Sequence, residues 1–225
     1  MTIAYDNATT YHINNASSPS FSHEVGVGDN RILFVVMHGY TNGSGLNYVA
    51  TVTYNSVSMT KLHEENTDYG RFTIFYLVNP ASGSNTVAVS LNTNCYIMAG
   101  AVSYSGVHQT NPYNTPSTFN RSYATRDTTP SVSSLAGGDG FVLSFLGFDD
   151  ATISVTPGTN QNERFELATT PGNRGVWGSD ETSDDEASAT LTAATSYLIW
   201  ASVLKEAPIQ TVYKNNPLIS NCMVT

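Results

Sequence analysis

Charge is scarce in this chain. Lys and Arg together number nine and Asp and Glu eighteen, so charged residues make up 12% of the sequence. Soluble domains usually carry about 25%. The net charge is −9. A negative field repels phosphate backbones and anionic headgroups, which argues against nucleic acid and anionic membranes as partners. Cysteine is scarcer still, with only Cys95 and Cys222. They form no CxxC and no zinc pattern. They read as two buried thiols or, in an oxidising compartment, as one disulfide within or between chains. No apolar run approaches the ~18 residues of a membrane-spanning helix, and the longest, Ile32–Met37, has the length of a strand. The opening MTIAYDNATTYH has neither the basic nor the apolar stretch of a secretory leader. Ser, Thr, Asn, Gly and Tyr take the place of charge, as in many secreted β proteins. The expectation is therefore an extracellular or cell-surface protein whose sequence begins after processing.

Cofactor motifs are missing as well. There is no nucleophile elbow, P-loop or dinucleotide fingerprint. The five histidines, His12, His23, His38, His63 and His108, stand at no metal-ligand spacing. The expectation is a protein that is not an enzyme and holds no cofactor. No repeat at a fixed period is visible, so one domain is expected.

What is present is a series of β-prone segments. The stretch Cys95–Val107, CYIMAGAVSYSGV, does not alternate: both faces are apolar or small, which predicts a central strand covered on both sides. Arg31–Tyr40 and Asp139–Phe148 read the same way. Ile32, Phe34, Val36, Ile97, Val102, Phe141, Leu143, Phe145 and Trp200 are the expected core. Ile3–Asp6 is a short strand, and Asn55-Ser56 is the turn of a tight hairpin. Many short strands separated by Gly, Pro and Asn turns predict an all-β fold. The expected architecture is a single jelly-roll-like β-sandwich over residues 1–206, with an extended C-terminal tail over 207–225.

The strings VTYNSVSMTKL (52–62), IFYLVNPASGSNTVAVSL (74–91) and AGAVSYSGVHQTNP (99–112) carry a resemblance. Together with the Arg-Ile-Leu start at Arg31, they resemble a β-sandwich domain widespread in bacterial and phage surface proteins. The resemblance spans about residues 3–206, and its motifs are structural. A solitary domain of this kind followed by a tail is similar in architecture to subunits of extracellular fibrils and pili built by strand donation. That second resemblance implies a self-assembling homopolymer.

Several side chains are candidates for other roles. Asp180, Asp184, Asp185 and Glu186 form an acidic loop that could take calcium, although it lacks the EF-hand order. Asp149-Asp150 is a weaker cluster of the same kind; either group could also supply glycosidase carboxylates. Tyr40, Tyr48, Tyr69, Tyr113 and Tyr123 lie near loops and could offer a platform to sugars. Asn7, Asn15, Asn42 and Asn120 begin Asn-x-Ser/Thr sequons, which mark possible glycosylation.

The tail holds the candidate assembly residues. Pro208 ends the closing strand. Ile209, Val212 and Tyr213 form one β-prone run, and Leu218, Ile219, Met223 and Val224 a second, separated by an Asn-Asn-Pro hinge. The leading expectation is a structural subunit of an extracellular filament, polymerised by insertion of a terminal strand into its neighbour. The alternative is a carbohydrate-binding or adhesin module, and a more distant one is a glycoside-active enzyme.

Overall fold

A computed structural model describes residues 2–41, 48, 50–67, 70–114, 118–133, 135, 140–169, 173–182 and 186–208, the side chains of residues 118 and 123–125 excepted. The described residues form an all-β fold of antiparallel sheets packed face to face, a β-sandwich architecture.

The first half of the chain contributes β1 (Ala4–Ala16), β2 (Ser20–Val25), β3 (Ile32–Thr41), β4 (Ala50–Tyr54), β5 (Val57–Ser58), β6 (Thr60–Asn66), β7 (Arg71–Val78), β8 (Gly83–Leu91) and β9 (Cys95–Ser105). The second half contributes β10 (Thr118–Asp127), β11 (Ser131–Val132), β12 (Phe141–Phe148), β13 (Val155–Pro157), β14 (Asn162–Thr169), β15 (Arg174–Glu181), β16 (Ala187–Leu191) and β17 (Thr195–Leu204). Within this architecture the strand order repeats. One five-stranded sheet runs β1-β9-β3-β7-β6, and the other runs β10-β17-β12-β15-β14. The outer sheets run β2-β8-β4-β5 and β11-β16-β13. Each half is thus a sandwich of one outer and one inner sheet, with the same connections. The repeat is one of topology. In sequence it survives at few positions, such as Leu91 and Leu191 ahead of the closing strands.

Three apolar cores separate the four layers. Leu33, Val35 and Met37 on β3 point to the first outer sheet, and Val142, Leu146 and Phe148 on β12 to the second. Phe34 and Val36 meet Leu143 and Phe145 in a seam between the two inner sheets. That is why these strands lack alternation: both faces of each inner sheet are covered. The expected core is buried, except that Phe141 at the start of β12 keeps partial exposure.

The halves meet through their inner sheets, most closely where β9 faces β14 and β15. Strand β1 lies over β14, β3 over β12, and the His63 ring of β6 lies tilted against Phe119 of β10 at 5.1 Å. A glycine slot locks this arrangement. A Cβ at Gly100 would strike the Phe165 ring, and one at Gly178 would sit 2.5 Å from it. The two glycines thus leave the space that Phe165 fills. On the other side of the same seam Trp200, fully buried, stacks on Phe145 at 5.8 Å.

Local turns follow from local chemistry. Asn55 and Ser56 take positive φ, 47° and 64°, between the paired Tyr54 and Val57. This is the left-handed pair that a two-residue hairpin demands. Arg31 and the Asn79-Pro80 turn, far apart in sequence, touch. The guanidinium donates to the carbonyls of Pro80 (3.0 Å) and Gly28 (2.7 Å). One expectation needs correction: the first strand runs from Ala4 to Ala16, well past Asp6. Its polar Thr, Asn and Tyr residues gave no apolar alternation, yet β9 supplies a full ladder of partners.

Candidate functional site

Three buried polar networks interrupt the apolar layers. The first sits in the seam. His38 on β3 reaches Thr67 Oγ1 through Nε2 (3.2 Å) and the Gly175 carbonyl of the opposite sheet through Nδ1 (3.2 Å). Asp149, just after β12, lies 3.5 Å from His38 Nε2 and binds Arg174 Nε at 2.8 Å. The Arg174 guanidinium covers the Tyr40 ring at 4.9 Å, and Tyr40 stacks on Tyr96. Burial holds His38 down to about 3, and the neighbouring Arg174 charge pushes the same way. His38 is therefore neutral at any ordinary pH and acts as a hydrogen-bonding tie between the halves. Room for it comes from Gly147, where a Cβ would lie 3.0 Å from His38 Cγ.

The second network is at the β1 side of the seam. Arg164 donates to both oxygens of Asp180, at 2.6 and 2.7 Å, and Tyr104 donates its hydroxyl to Oδ2 at 2.9 Å. Arg164 also lies over the Tyr5 ring at 4.1 Å. Burial raises the Tyr104 hydroxyl well above its ordinary value, with the Asp180 charge adding to the effect.

The third network has the residue types of a hydrolytic triad. Ser103 donates to Asp6 Oδ2 at 2.8 Å, and His23 approaches Ser103 through Nε2 (3.2 Å) and Thr9 through Nδ1 (3.0 Å). Its order is wrong for that chemistry. With the Ser103 proton on the Asp6 side, Nε2 carries a hydrogen and donates. A nucleophilic relay needs Nε2 to accept from the serine and Nδ1–H to face the carboxylate. Ser103 and His23 are also buried, and burial lowers His23 to about 4. The network ties β1, β2 and β9 together.

The places of the remaining candidates can be read directly. Asp180 is 2% exposed and committed to Arg164, so it is turned into the seam and away from any surface loop; Asp184 and Asp185 lie outside the described residues. Glu186 is exposed, ahead of β16. Among the described residues no three His, Cys, Asp or Glu side chains gather as a metal site. Asp150 is spent on a turn, accepting from Thr152 N and Oγ1. Tyr48 is buried, with its hydroxyl donating to the Arg71 carbonyl. Tyr113 packs edge-on to Tyr76. Tyr69 and the Tyr123 side chain lie outside the described residues.

Cys95 is buried, and burial pushes its thiol up to about 11. Cys222 lies outside the described residues, as do Asn42 and the candidate assembly residues Ile209, Val212, Tyr213, Leu218, Ile219, Met223 and Val224. Among the other sequons, Asn7 and Asn120 donate their amides to the carbonyls of Glu24 and Ser131. Asn15 is exposed with φ 49° at a bulge near the end of β1.

The point where the chain leaves the sandwiches is well defined. After β17, Glu206 bridges Val107, and Ala207 N donates to the Gly106 carbonyl at 2.7 Å. Gly106 itself takes a positive φ of 78° and packs so closely on Thr2 that a Cβ would strike the Thr2 carbonyl. The start of the first strand, the connector between the halves and the exit of the last strand therefore converge at one place.

Comparison with protein-family models, with curated proteins and with solved structures finds no match to this chain. The geometry alone bears on function. No helix among the described residues is long and apolar enough to cross a membrane. Sequence reasoning missed the three networks, because Asp149 and Arg174, Arg164 and Asp180, and Asp6 and Ser103 share no motif. The one available signal was Asp6, the single charge in a strand otherwise free of it.

Proposed function

We propose that this chain is a structural subunit of an extracellular filament, joined head to tail by a terminal strand. The observation that carries the reading is the chain exit. Both halves possess their full set of inner-sheet strands before residue 205. The chain then leaves beside Gly106 and continues through residues 209–225, where Lys214 is the only charged side chain. Two β-prone runs in that segment suit pairing with an open sheet edge, which gains backbone hydrogen bonds and buried area. A contact between unlike surfaces that does not close on itself propagates into a filament.

The test is to delete residues 209–225 and follow assembly by light scattering and electron microscopy. The expected product is a folded, soluble monomer. Filaments of unchanged abundance and length would refute the reading.

A further inference from the structure

We infer that the open edge of β1 receives the C-terminal segment of a second copy of this chain; the inference rests on the filament reading above. Strand addition needs an edge that is long, unpaired, free of charge and flanked by apolar surface. Among the described edge strands, β1 meets these conditions best. It has 13 residues and pairs on one side with β9; among the described residues nothing supplies a backbone partner on its other side. Its single charge, Asp6, is turned inward to Gly26 N and Ser103. The other long edges are guarded by charge: Lys61, Glu64 and Glu65 on β6, Arg121 and Arg126 on β10, Glu163 and Glu166 on β14. Short strands, a charge or a proline protect the outer sheets, as at β5 and β11, Glu24 of β2 and Pro157 of β13. Large exposed apolar side chains gather at β1 too. Tyr5 (38% exposed) and Tyr11 (36%) lie on it, and Val27 (88%) follows Gly26, whose N–H donates to Asp6.

The repeat identifies the occupant. Residues 209–225 follow β17 much as residues 109–124 follow β9, within one residue. In the register that matches Leu91 with Leu191, Tyr113 ahead of β10 answers to Tyr213 in the tail; the connector's Gln109-Thr110 and Pro116 recur one residue later, as Gln210-Thr211 and Pro217, ahead of Leu218–Val224. By this correspondence Leu218–Val224 takes the role of β10, a strand that joins the side of a five-stranded sheet next to the closing strand. In a second copy the place beside β9 is already held by β1, so the first open edge is the outer edge of β1.

Direction favours a second copy over the tail's own β1. The tail leaves next to Thr2, at the start of β1. Running straight along its own β1 it would be parallel to it, whereas every strand pairing among the described residues is antiparallel. Arriving from a copy stacked beyond the far end of β1, the same segment runs antiparallel, the more stable arrangement.

The experiment pairs Thr10→Cys, exposed on β1, with Ile219→Cys in a Cys222→Ser chain; Cys95 is buried and stays. Oxidation during assembly should yield a ladder of linked chains on a non-reducing denaturing gel, with most chains as dimers or longer. A control places the first cysteine at Asn120, exposed on β10. Filaments that give no Thr10 ladder, or a ladder through Asn120 instead, overturn the edge assignment and leave the filament reading standing. Cross-links confined to single chains overturn the choice of a second copy. Filaments that survive deletion of residues 209–225 overturn the filament reading itself, and this inference with it.

Discussion

The outer cores and the seam are built from different chemistry. Between β3 and its outer sheet the buried contacts are apolar: Leu33, Val35 and Met37 against Val52, Val87 and Val89. The second outer core is of the same kind, and the polar cluster His23–Ser103–Asp6 at the β1 side of the first holds one charged side chain and no cation to pair with it. The seam has an apolar middle but is flanked by two ion-paired networks, His38–Asp149–Arg174 and Tyr104–Asp180–Arg164. Apolar layers supply most of the stabilisation but have little directional preference. Buried ion pairs add little net stability, because desolvation offsets their attraction, yet they disfavour any arrangement that leaves them unpaired. We take the seam networks to be what fixes how one half sits on the other, together with the glycine slot around Phe165. Two sheets of equal strand order could otherwise slide past one another.

This contrast can be broken first at Phe145, which contacts Phe34, Phe165 and Trp200 in the middle of the seam. Phe145→Ala is expected to cost ~3–5 kcal/mol in urea unfolding. A second large effect is expected from pH. Burial holds His38 near 3 and His23 near 4, against an ordinary 6.5. The unfolded chain therefore takes up protons that the folded chain refuses. Stability should be flat above pH 6.5 and fall as pH drops toward 4, by ~1.4 kcal/mol per unit for each histidine. His23→Gln should reduce the slope and leave the His38 part, from the seam, in place. The glycine slot is a sharper probe with a smaller effect. Gly100→Ala puts a methyl group against the Phe165 ring and should cost ~1–3 kcal/mol, with partial recovery when Phe165→Leu is added. At the exposed edge, Lys61→Ala removes only the Lys61–Glu64 pair (3.0 Å) and should change stability by less than ~0.5 kcal/mol.

Much of this fold was legible in the sequence because its inner strands break a simple rule. Strands β3, β9 and β12 are apolar on both faces, and only a double cover explains that. The hairpin at Asn55-Ser56 was equally plain, since few residue pairs tolerate two left-handed positions. The repeat was not legible. Equivalent positions have diverged to fit one another across the seam, as with Gly100 and Trp200 in the matching closing strands, so the likeness was lost where the halves touch. Strand β1 was only partly legible, because an edge strand with one partner need not alternate. The networks were hidden for a further reason: their members meet only through the face-to-face packing of two sheets, which no local spacing encodes. The candidate assembly residues of the tail were named from sequence and lie beyond the described residues.

Filament length in mixtures tests the central claim most directly. A chain lacking residues 209–225 keeps the β1 edge but has no strand to donate, so it can join a growing end and stop it. Adding it in small proportion to the intact chain should shorten filaments in inverse relation to the fraction added, as measured by electron microscopy. Filaments that keep their length when the shortened chain is present, or that incorporate it without stopping, would contradict head-to-tail assembly through the C-terminal strand.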